Sequence, residues 1–186
     1  QFDNHWNGEV IAESHKMGLK SYLGQHFPAA DIPAQARRLY TRSHFRLLAD
    51  TEAEPSDIFP VINPVTQKPL DLSLCLLRGI SPVHIQYLRN IDTRATMSIS
   101  LLQNGRLWGL IACHHITPKP INYRIRMATD LISSSISQKL SELENIERSK
   151  FQRSASECTL KLMRNAVEYQ LSSNDFFQFS IPALLD

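Results

Sequence analysis

Apolar and hydroxyl-bearing residues alternate over residues 96–102, which is the period of a β-strand with two different faces. One face would carry Met97, Ile99 and Leu101. The other would carry Thr96, Ser98 and Ser100. Asn104-Gly105 is a strong hairpin signal, and Leu107–Cys113 supplies the return strand. A row of three hydroxyls either faces solvent or lines a wet, ligand-holding pocket, and the pattern leaves both interpretations open.

Weaker patterns predict the elements on the N-terminal side of this hairpin. Gly8–Glu13 has a short β-type core, and Ala34–Leu48 is predicted as a helix with arginines opposite its apolar side. Residues 50–74 are rich in Pro, Thr and Asp, which predicts a long connection of the kind that often carries function. A second helix is predicted to begin at Pro82, with Ser81 as its N-cap.

Residues 121–181 contain neither Gly nor Pro, and apolar side chains recur among them at helical spacing. This stretch predicts one very long helix, or two in line. Its apolar seam begins with Ile132, Ile136, Leu140 and Leu143, and Glu147 interrupts it. A helix longer than its domain needs a partner for such a seam, so we expect a parallel homodimer. Residues 175–179 resemble the entry to a further domain.

Composition limits the classes of protein to consider. The 186 residues are 42% hydrophobic and 20% charged, which is typical of a globular domain with a core and an appendage. A net charge of +2 does not favour nucleic-acid binding. Three cysteines without metal or redox spacing indicate reduced thiols in a cytoplasmic protein, and no apolar run is long enough to span a membrane. Both ends are expected to lie within a longer protein.

Two apparent chemical sites are rejected, one because of strand geometry and the other because its accompanying motifs are missing. Cys113, His114 and His115 are adjacent on a strand, so they point to alternate faces and do not form a metal site. Ser81, His84 and Asp31 suggest a catalytic triad, but no nucleophile elbow or oxyanion loop accompanies them. We therefore predict neither metal-binding nor catalytic residues.

Arginines and aromatic residues offer a different chemistry, since arginine binds carboxylates bidentately. For Arg42 and Arg89 a solvated helix face is the favoured interpretation, whereas Arg46 and Arg78 stay open. For the remaining candidates, ordinary core packing competes with a role in binding: these are His84, His114, Phe27, Tyr40 and Tyr87.

Three motifs together resemble one family. The runs Arg78-Gly-Ile-Ser-Pro-Val-His-Ile-Gln-Tyr-Leu-Arg-Asn90 and Leu107-Trp-Gly-Leu-Ile-Ala-Cys-His-His115 closely resemble the chromophore-binding GAF domain of phytochromes. Phe27-Pro-Ala-Ala-Asp-Ile-Pro33 resembles the family's P-x-S-D-I-P motif. The resemblance implies an α+β fold, in which helices flank a GAF antiparallel sheet and a long signalling helix follows. It divides the chain into a GAF domain (1–120), a connector helix (121–171) and the start of a PHY domain (172–186).

The resemblance implies a bound linear tetrapyrrole. Asp31 matches the aspartate whose backbone carbonyl accepts hydrogen bonds from pyrrole N–H groups. His84 matches the histidine beside the central rings, and His114 the histidine that bonds the ring D carbonyl. The propionates would be held by Arg46 and Arg78 with Tyr40 beside them, and by Thr96 and Ser98. Phe27 and Tyr87 match walls of the ring D cavity, and the matching motifs also contain Ser81, Ile32 and Pro33.

One departure from the family's usual motif indicates which branch of the family the chain resembles. Plant and many cyanobacterial phytochromes attach the chromophore to a cysteine directly after the motif histidine, and Ile85 stands there. The chain is thus similar to bacteriophytochromes, whose cysteine lies upstream and whose chromophore is biliverdin, so no residue of this chain is expected to attach it. Ala30 also replaces the usual serine, and Ile91-Asp92 the usual Met-Gly.

The implied function is red/far-red light sensing. Isomerisation of the bilin would bias the long helix and, through it, an output domain, expected to be a histidine kinase that acts on a response regulator. The chain itself would be no enzyme, and its partners would be a second copy and the PAS, PHY and output domains. Two alternatives are a GAF domain for another small ligand, such as a cyclic nucleotide, and a ligand-free dimerisation module.

Overall fold

A computed structural model describes residues 1–169, and it confirms the α+β class predicted from the sequence. The strands are β1 (Gly8–Glu9), β2 (His26–Phe27), β3 (Phe45–Leu48), β4 (Ala95–Gln103) and β5 (Arg106–His115). The helices are α1 (Ala34–Arg42), α2 (Pro82–Asn90) and α3 (Tyr123–Tyr169), with a 3-10 turn at Ala29–Asp31. Gln1–Leu140 form one compact unit, and a second unit begins at Ser141, within α3.

The main sheet is antiparallel in the order β3-β4-β5, and β1 pairs with β2 in a separate small sheet. The hairpin between β4 and β5 turns at Asn104 and Gly105, whose φ angles of +49° and +78° are both left-handed. Asparagine and glycine tolerate that conformation best, which is why this dipeptide marks hairpins. The hairpin prediction is therefore confirmed, and β5 runs slightly further in both directions than Leu107–Cys113.

The two faces of this sheet differ as the alternation predicts. Phe45, Leu47 and Ile99 form the buried apolar core on one face, with Met97, Ile111 and Ile121 packed against it. The opposite, polar face carries Arg46, Thr96, Ser98 and His114. The interpretation in which the hydroxyl row faces solvent is wrong for Thr96 and Ser100, because these residues are only 8% and 0% exposed.

Helix α3 covers the edge of β4 beyond the end of β3. Ser133 Oγ donates to the Ser100 carbonyl at 2.6 Å, and Ser137 Oγ accepts from the Leu102 N–H at 2.9 Å. These side chains satisfy backbone groups of β4 that β3 is too short to reach. The strand that carries Thr96 and Ser98 is thereby tied directly to α3.

The helix predicted over Ala34–Leu48 is correct to Arg42 and wrong beyond it. Ser43 takes an extended conformation, and Phe45–Leu48 forms β3. In β3 the apolar Phe45 and Leu47 are buried against β4, whereas a continued helix would bring neither to that strand. Tertiary pairing thus overrides local helix propensity here.

The first predicted strand is shorter than expected, and the long connection after β3 agrees with the prediction. Of the β-type stretch Gly8–Glu13, only Gly8–Glu9 is a strand, although Val10 still exchanges backbone hydrogen bonds with Gly24 and Gln25. The long connection after β3 contains no regular helix or strand between residues 49 and 81. Its start is anchored, because Thr51 is buried and its carbonyl accepts a 2.7 Å hydrogen bond from Arg89.

Helix α3 is 47 residues long, which confirms a single long helix over the described part of the stretch. Its first turn is capped by Asn122 Oδ1, which accepts from the Ile125 N–H at 3.0 Å. The expected further domain around residues 175–179 lies outside the described residues. Within residues 1–169, no helix is long and apolar enough to cross a bilayer.

Candidate binding site on the polar face of the sheet

Strand register brings four candidate residues together on the polar face. Arg46 on β3 pairs with Ser98 on β4, and Thr96 on β4 pairs with His114 on β5. Paired residues of antiparallel strands place their side chains on the same face. Because Thr96 and Ser98 are two residues apart, the two pairs form neighbouring rows of that face. Placing Arg46 on a strand, rather than on the predicted helix, creates this arrangement.

Helix α2 adds His84 and Tyr87, whose rings stack at 5.8 Å between centroids and 21° between planes. Pro82 occupies the first helical position and Ser81 the N-cap position, as predicted, but the Ser81 side chain forms no capping hydrogen bond. Burial, followed by the nearby Arg46 guanidinium, lowers the pKa of His84. Burial and the proximity of His84 likewise lower the pKa of His114. His114 thus lies on the polar face and His84 lies beside it, and both imidazoles favour the neutral form.

Arg78 is held in place with part of its guanidinium unused. Its Nη1 donates to the carbonyls of Ser73 at 2.7 Å, Cys75 at 3.1 Å and Leu72 at 3.5 Å. Its Nη2 is buried and has no hydrogen-bond partner within residues 1–169. A buried donor without a partner is costly, so this atom indicates a place for an acceptor.

Arg46 lies close to Arg78, and the Asp71 carboxylate acts on Arg78 only from beyond ion-pair distance. Burial lowers the pKa of Arg46, and the positive charge of Arg78 lowers it further, while Tyr40 acts in the opposite direction on both arginines. Within residues 1–169, no carboxylate forms an ion pair with either guanidinium. Two neighbouring cations with unused donors make a site for anionic groups, and carboxylates fit the guanidinium fork.

The segment before α1 supplies a second side of the site. Its 3-10 turn at Ala29–Asp31 is closed by a 3.0 Å hydrogen bond from the Asp31 N–H to the Pro28 carbonyl. Phe27 and Ile32 are half-buried, and Pro33 is the N-cap residue of α1. Burial raises the pKa of Tyr87, and the charge of Asp31 raises it further, so Asp31 lies near the ring that stacks on His84.

The candidate residues thus fall into two connected groups. The first surrounds the polar face and comprises Arg46, Arg78, Tyr40, His84, His114, Thr96 and Ser98. The second lies at the Asp31 turn and includes Tyr87, which connects it to His84. Ser81, Ile32 and Pro33 flank these groups in the chain without a described contact to them. Within residues 1–169, no three His, Cys, Asp or Glu side chains are grouped as metal ligands.

Two residues at the edge of the site were missed from the sequence. Arg37 donates hydrogen bonds to two carbonyls of the segment that contains Asp31, and Trp6 stacks on Arg37. An arginine in the first turns of a helix carries no signal for this role, because its partners are set by tertiary structure.

The two histidines make a testable pH dependence. In the folded state the pKa values of both histidines lie below the ordinary 6.5. Below about pH 6.5 the unfolded chain therefore binds more protons than the folded chain does. We expect the free energy of unfolding of the ligand-free protein to fall as the pH drops through this window. Urea denaturation at about pH 7.5 and about pH 5.5 measures it.

The variant His84→Gln/His114→Gln should lose most of that pH dependence. An equal pH dependence in the wild type and the double variant would contradict the assignment.

Comparisons with known proteins agree with this architecture. The GAF domain family model matches residues 10–138. Cyanobacterial phytochrome B of Nostoc sp. is 44% identical over the whole chain, which covers 24% of that protein. The bacteriophytochrome of Pseudomonas aeruginosa is 46% identical over 89% of the chain, which covers 23% of its length. The chain therefore spans about a quarter of these relatives.

A solved structure gives the same answer for the fold. The chromophore-binding domain of the bacteriophytochrome RpBphP3 from R. palustris is 43% identical and superposes with a TM-score of 0.75. That match covers 78% of this chain and 49% of the solved one. By sequence and by fold, the chain belongs to the GAF domain family, and within it to the phytochromes, as a GAF module of the bacteriophytochrome type.

Proposed function

We propose that this module senses red and far-red light through biliverdin bound on the polar face of the sheet. The observation that carries the proposal is the pair of neighbouring guanidiniums, Arg46 and Arg78, with a buried unpartnered donor on Arg78. A linear tetrapyrrole carries two propionates, and an ionised carboxylate is the natural partner for each guanidinium. A cyclic nucleotide has one negative charge and would leave one of the two arginines unmatched.

The remaining candidate residues suit a flat conjugated ligand. Such ligands are held by aromatic walls with a few placed polar groups, and Phe27, Tyr87 and the stacked His84 ring supply this combination. Thr96 and Ser98 would hold the other propionate through their hydroxyls. His114 would donate to a carbonyl at the far end of the ligand, and the Asp31 carbonyl would accept from its N–H groups. The neutral imidazoles leave each histidine one N–H to donate.

Biliverdin, when bound, would supply the absorption of red light and the isomerisation of a double bond. The chain's own residues would respond. His114 would lose and regain its hydrogen bond, and the walls formed by Phe27 and Tyr87 would set which ring orientation fits. Ser133 and Ser137 tie β4 to α3, so a shift of β4 reaches the N-terminal turns of α3 directly. This contact between β4 and α3 would act as the switch by adopting one of two alternative arrangements.

The parts beyond this chain belong to the same proposal. The proposed division is a GAF domain over residues 1–120, a connector helix over 121–171 and the start of a PHY domain over 172–186, of which residues 170–186 lie outside the described part of the chain. The whole protein would be a cytoplasmic homodimer with a PAS domain before the GAF domain. Its output would be a histidine kinase that passes phosphate to a response regulator, and no catalytic residue is proposed in this chain.

An absorption experiment tests the proposal. The full-length protein, expressed and mixed with biliverdin, should develop a strong band in the red that shifts reversibly under alternating red and far-red light. A protein that takes up no biliverdin, or that binds a cyclic nucleotide instead, would overturn it. The ligand-free dimerisation module would be supported by dimerisation without any small-molecule binding.

We expect none of the three cysteines of this chain to attach the chromophore. Cys75, Cys113 and Cys158 are free thiols, Ile85 occupies the motif position after His84, and burial raises the pKa of Cys113, which disfavours its thiolate. On denaturing gels stained with zinc, the variant Cys75→Ser/Cys113→Ser/Cys158→Ser of the full-length protein should fluoresce as strongly as the wild type. Loss of fluorescence in a single-cysteine variant would identify that thiol as the attachment site.

A further inference from the structure

A tight turn at Asp3–Asn7 presents one aromatic side chain to two arginines. Asp3 Oδ1 accepts from the N–H groups of His5 and Asn7 at 2.8 Å each, and Asp3 Oδ2 accepts from Asn7 Nδ2 at 3.0 Å. Within this turn Trp6 has a left-handed φ of +69°, which a bulky residue adopts only when its surroundings enforce it. The turn therefore fixes the position of the Trp6 ring.

Both arginines lie over that ring. The central guanidinium carbons of Arg37 and Arg106 are each 4.9 Å from the centroid of Trp6. Tryptophan is the best aromatic partner for such cations, and stacking restricts where a flexible guanidinium points. The two arginines differ in what else they bind, because only Arg37 has described hydrogen bonds to the backbone of another segment.

Arg37 reaches from α1 back to the segment before it. Its Nη1 donates to the Ile32 carbonyl at 2.5 Å and to the Ala29 carbonyl at 3.1 Å. The same segment is held from the Trp6 turn, since Asn7 Oδ1 accepts from the Ala29 N–H at 3.2 Å. These bonds hold the residues on either side of the Asp31 backbone and leave the Asp31 carbonyl to other partners.

We propose that Arg37, stacked on Trp6, is the positioning residue that fixes the direction of the Asp31 carbonyl toward the bound ligand. The inference rests on the proposed function, in which that carbonyl accepts hydrogen bonds from the pyrrole N–H groups. Such bonds stabilise the protonated, cationic form of the ring system. A loosened Asp31 segment would accept them less well, so the bound bilin would lose its proton at lower pH.

The test is a pH titration of the red absorption band in the full-length protein loaded with biliverdin. In Arg37→Ala we expect the midpoint of that titration to fall by about one pH unit, a tenfold change in proton affinity. The light-induced absorbance change should fall about threefold, because a carbonyl that is bonded only part of the time lowers the fraction in the reactive geometry. Arg37→Lys should give an intermediate midpoint, since an ammonium group lacks the planar fork and its stacking.

Arg106→Ala is the matched control, because it removes a cation stacked on the same ring without touching the Asp31 segment. It should titrate as the wild type does. A wild-type midpoint in both Arg37 variants would overturn the inference and leave the proposed function standing. Should Arg37→Ala fail to fold, Arg37→Lys decides alone: a lowered midpoint supports the inference and a wild-type one overturns it. A wild type without any red band would overturn the proposed function and this inference together.

Discussion

Alanine at both Arg46 and Arg78 should reduce the affinity of the full-length protein for biliverdin by at least about a hundredfold. Hydrogen bonds to charged groups contribute about 1.5–3 kcal/mol, so each arginine accounts for roughly a 10- to 150-fold change. The effect is expected to be large because no carboxylate of the described residues pairs with either arginine in the absence of ligand. Titration of the apoprotein with biliverdin, followed at the red band, measures it.

The two single variants should differ in the stability of the ligand-free protein. Arg46 has no described hydrogen bond and is crowded by the positive charge of Arg78, so Arg46→Ala should leave the apoprotein melting temperature unchanged or raise it. Arg78 holds three carbonyls of the 72–75 turn, so Arg78→Ala should lower it. Arg38→Ala, an exposed arginine of α1, should change neither affinity nor stability. Unchanged biliverdin affinity in the double alanine variant would remove both arginines from the site.

Glutamate at Leu143 and Ile146 of α3 should weaken a dimer of the full-length protein by about a hundredfold. These side chains are 47% and 42% exposed, and burying an apolar side chain of this size contributes about 1.5–3 kcal/mol. A symmetric parallel contact would bury each of them twice, once per copy, as in a coiled coil. Sedimentation velocity over a dilution series measures the dissociation constant.

The structure changes which residues test this seam best. Of the four residues that begin it, Ile136 and Leu140 are already half-buried, whereas Ile132 is 53% exposed. Gln152→Glu, at an exposed polar position on the opposite side of the same helix, is the control and should leave the dimer intact. A wild-type protein that stays strictly monomeric at high micromolar concentration would contradict the expected dimer.

Local signals account for the part of the fold that the sequence predicts well. The β4–β5 hairpin combines a period of two with an Asn-Gly turn, and both are properties of adjacent residues. β3 was missed because its four residues follow a helix directly and pair with a strand some fifty residues later. No periodicity within Phe45–Leu48 can indicate that distant partner, and short apolar runs are ambiguous between helix and strand.

The candidate site divides in the same way. Motifs that occupy continuous stretches, such as those around Asp31 and His84, are recognisable from the sequence alone. The contacts of Arg37 are not, because its position depends on a turn about thirty residues away at Trp6 and on two carbonyls of another segment. The neighbouring charges of Arg46 and Arg78 likewise follow from strand register and loop anchoring, which no local pattern encodes.

The core and the candidate site lie on opposite faces of the same three strands, so their separation depends on whether a residue's position is odd or even. Inserting one residue into β4 before Thr96 would turn Met97 and Ile99 toward the polar face and the hydroxyls toward Phe45. Inserting two would restore every side chain to its face while shifting the register of pairing. Among homologues, length changes within β4 should therefore occur in pairs or be absorbed by bulges, such as the irregularity at Leu101 and Leu102. Loops can change in length by any number of residues, whereas these strands keep their two faces only when they change by an even number.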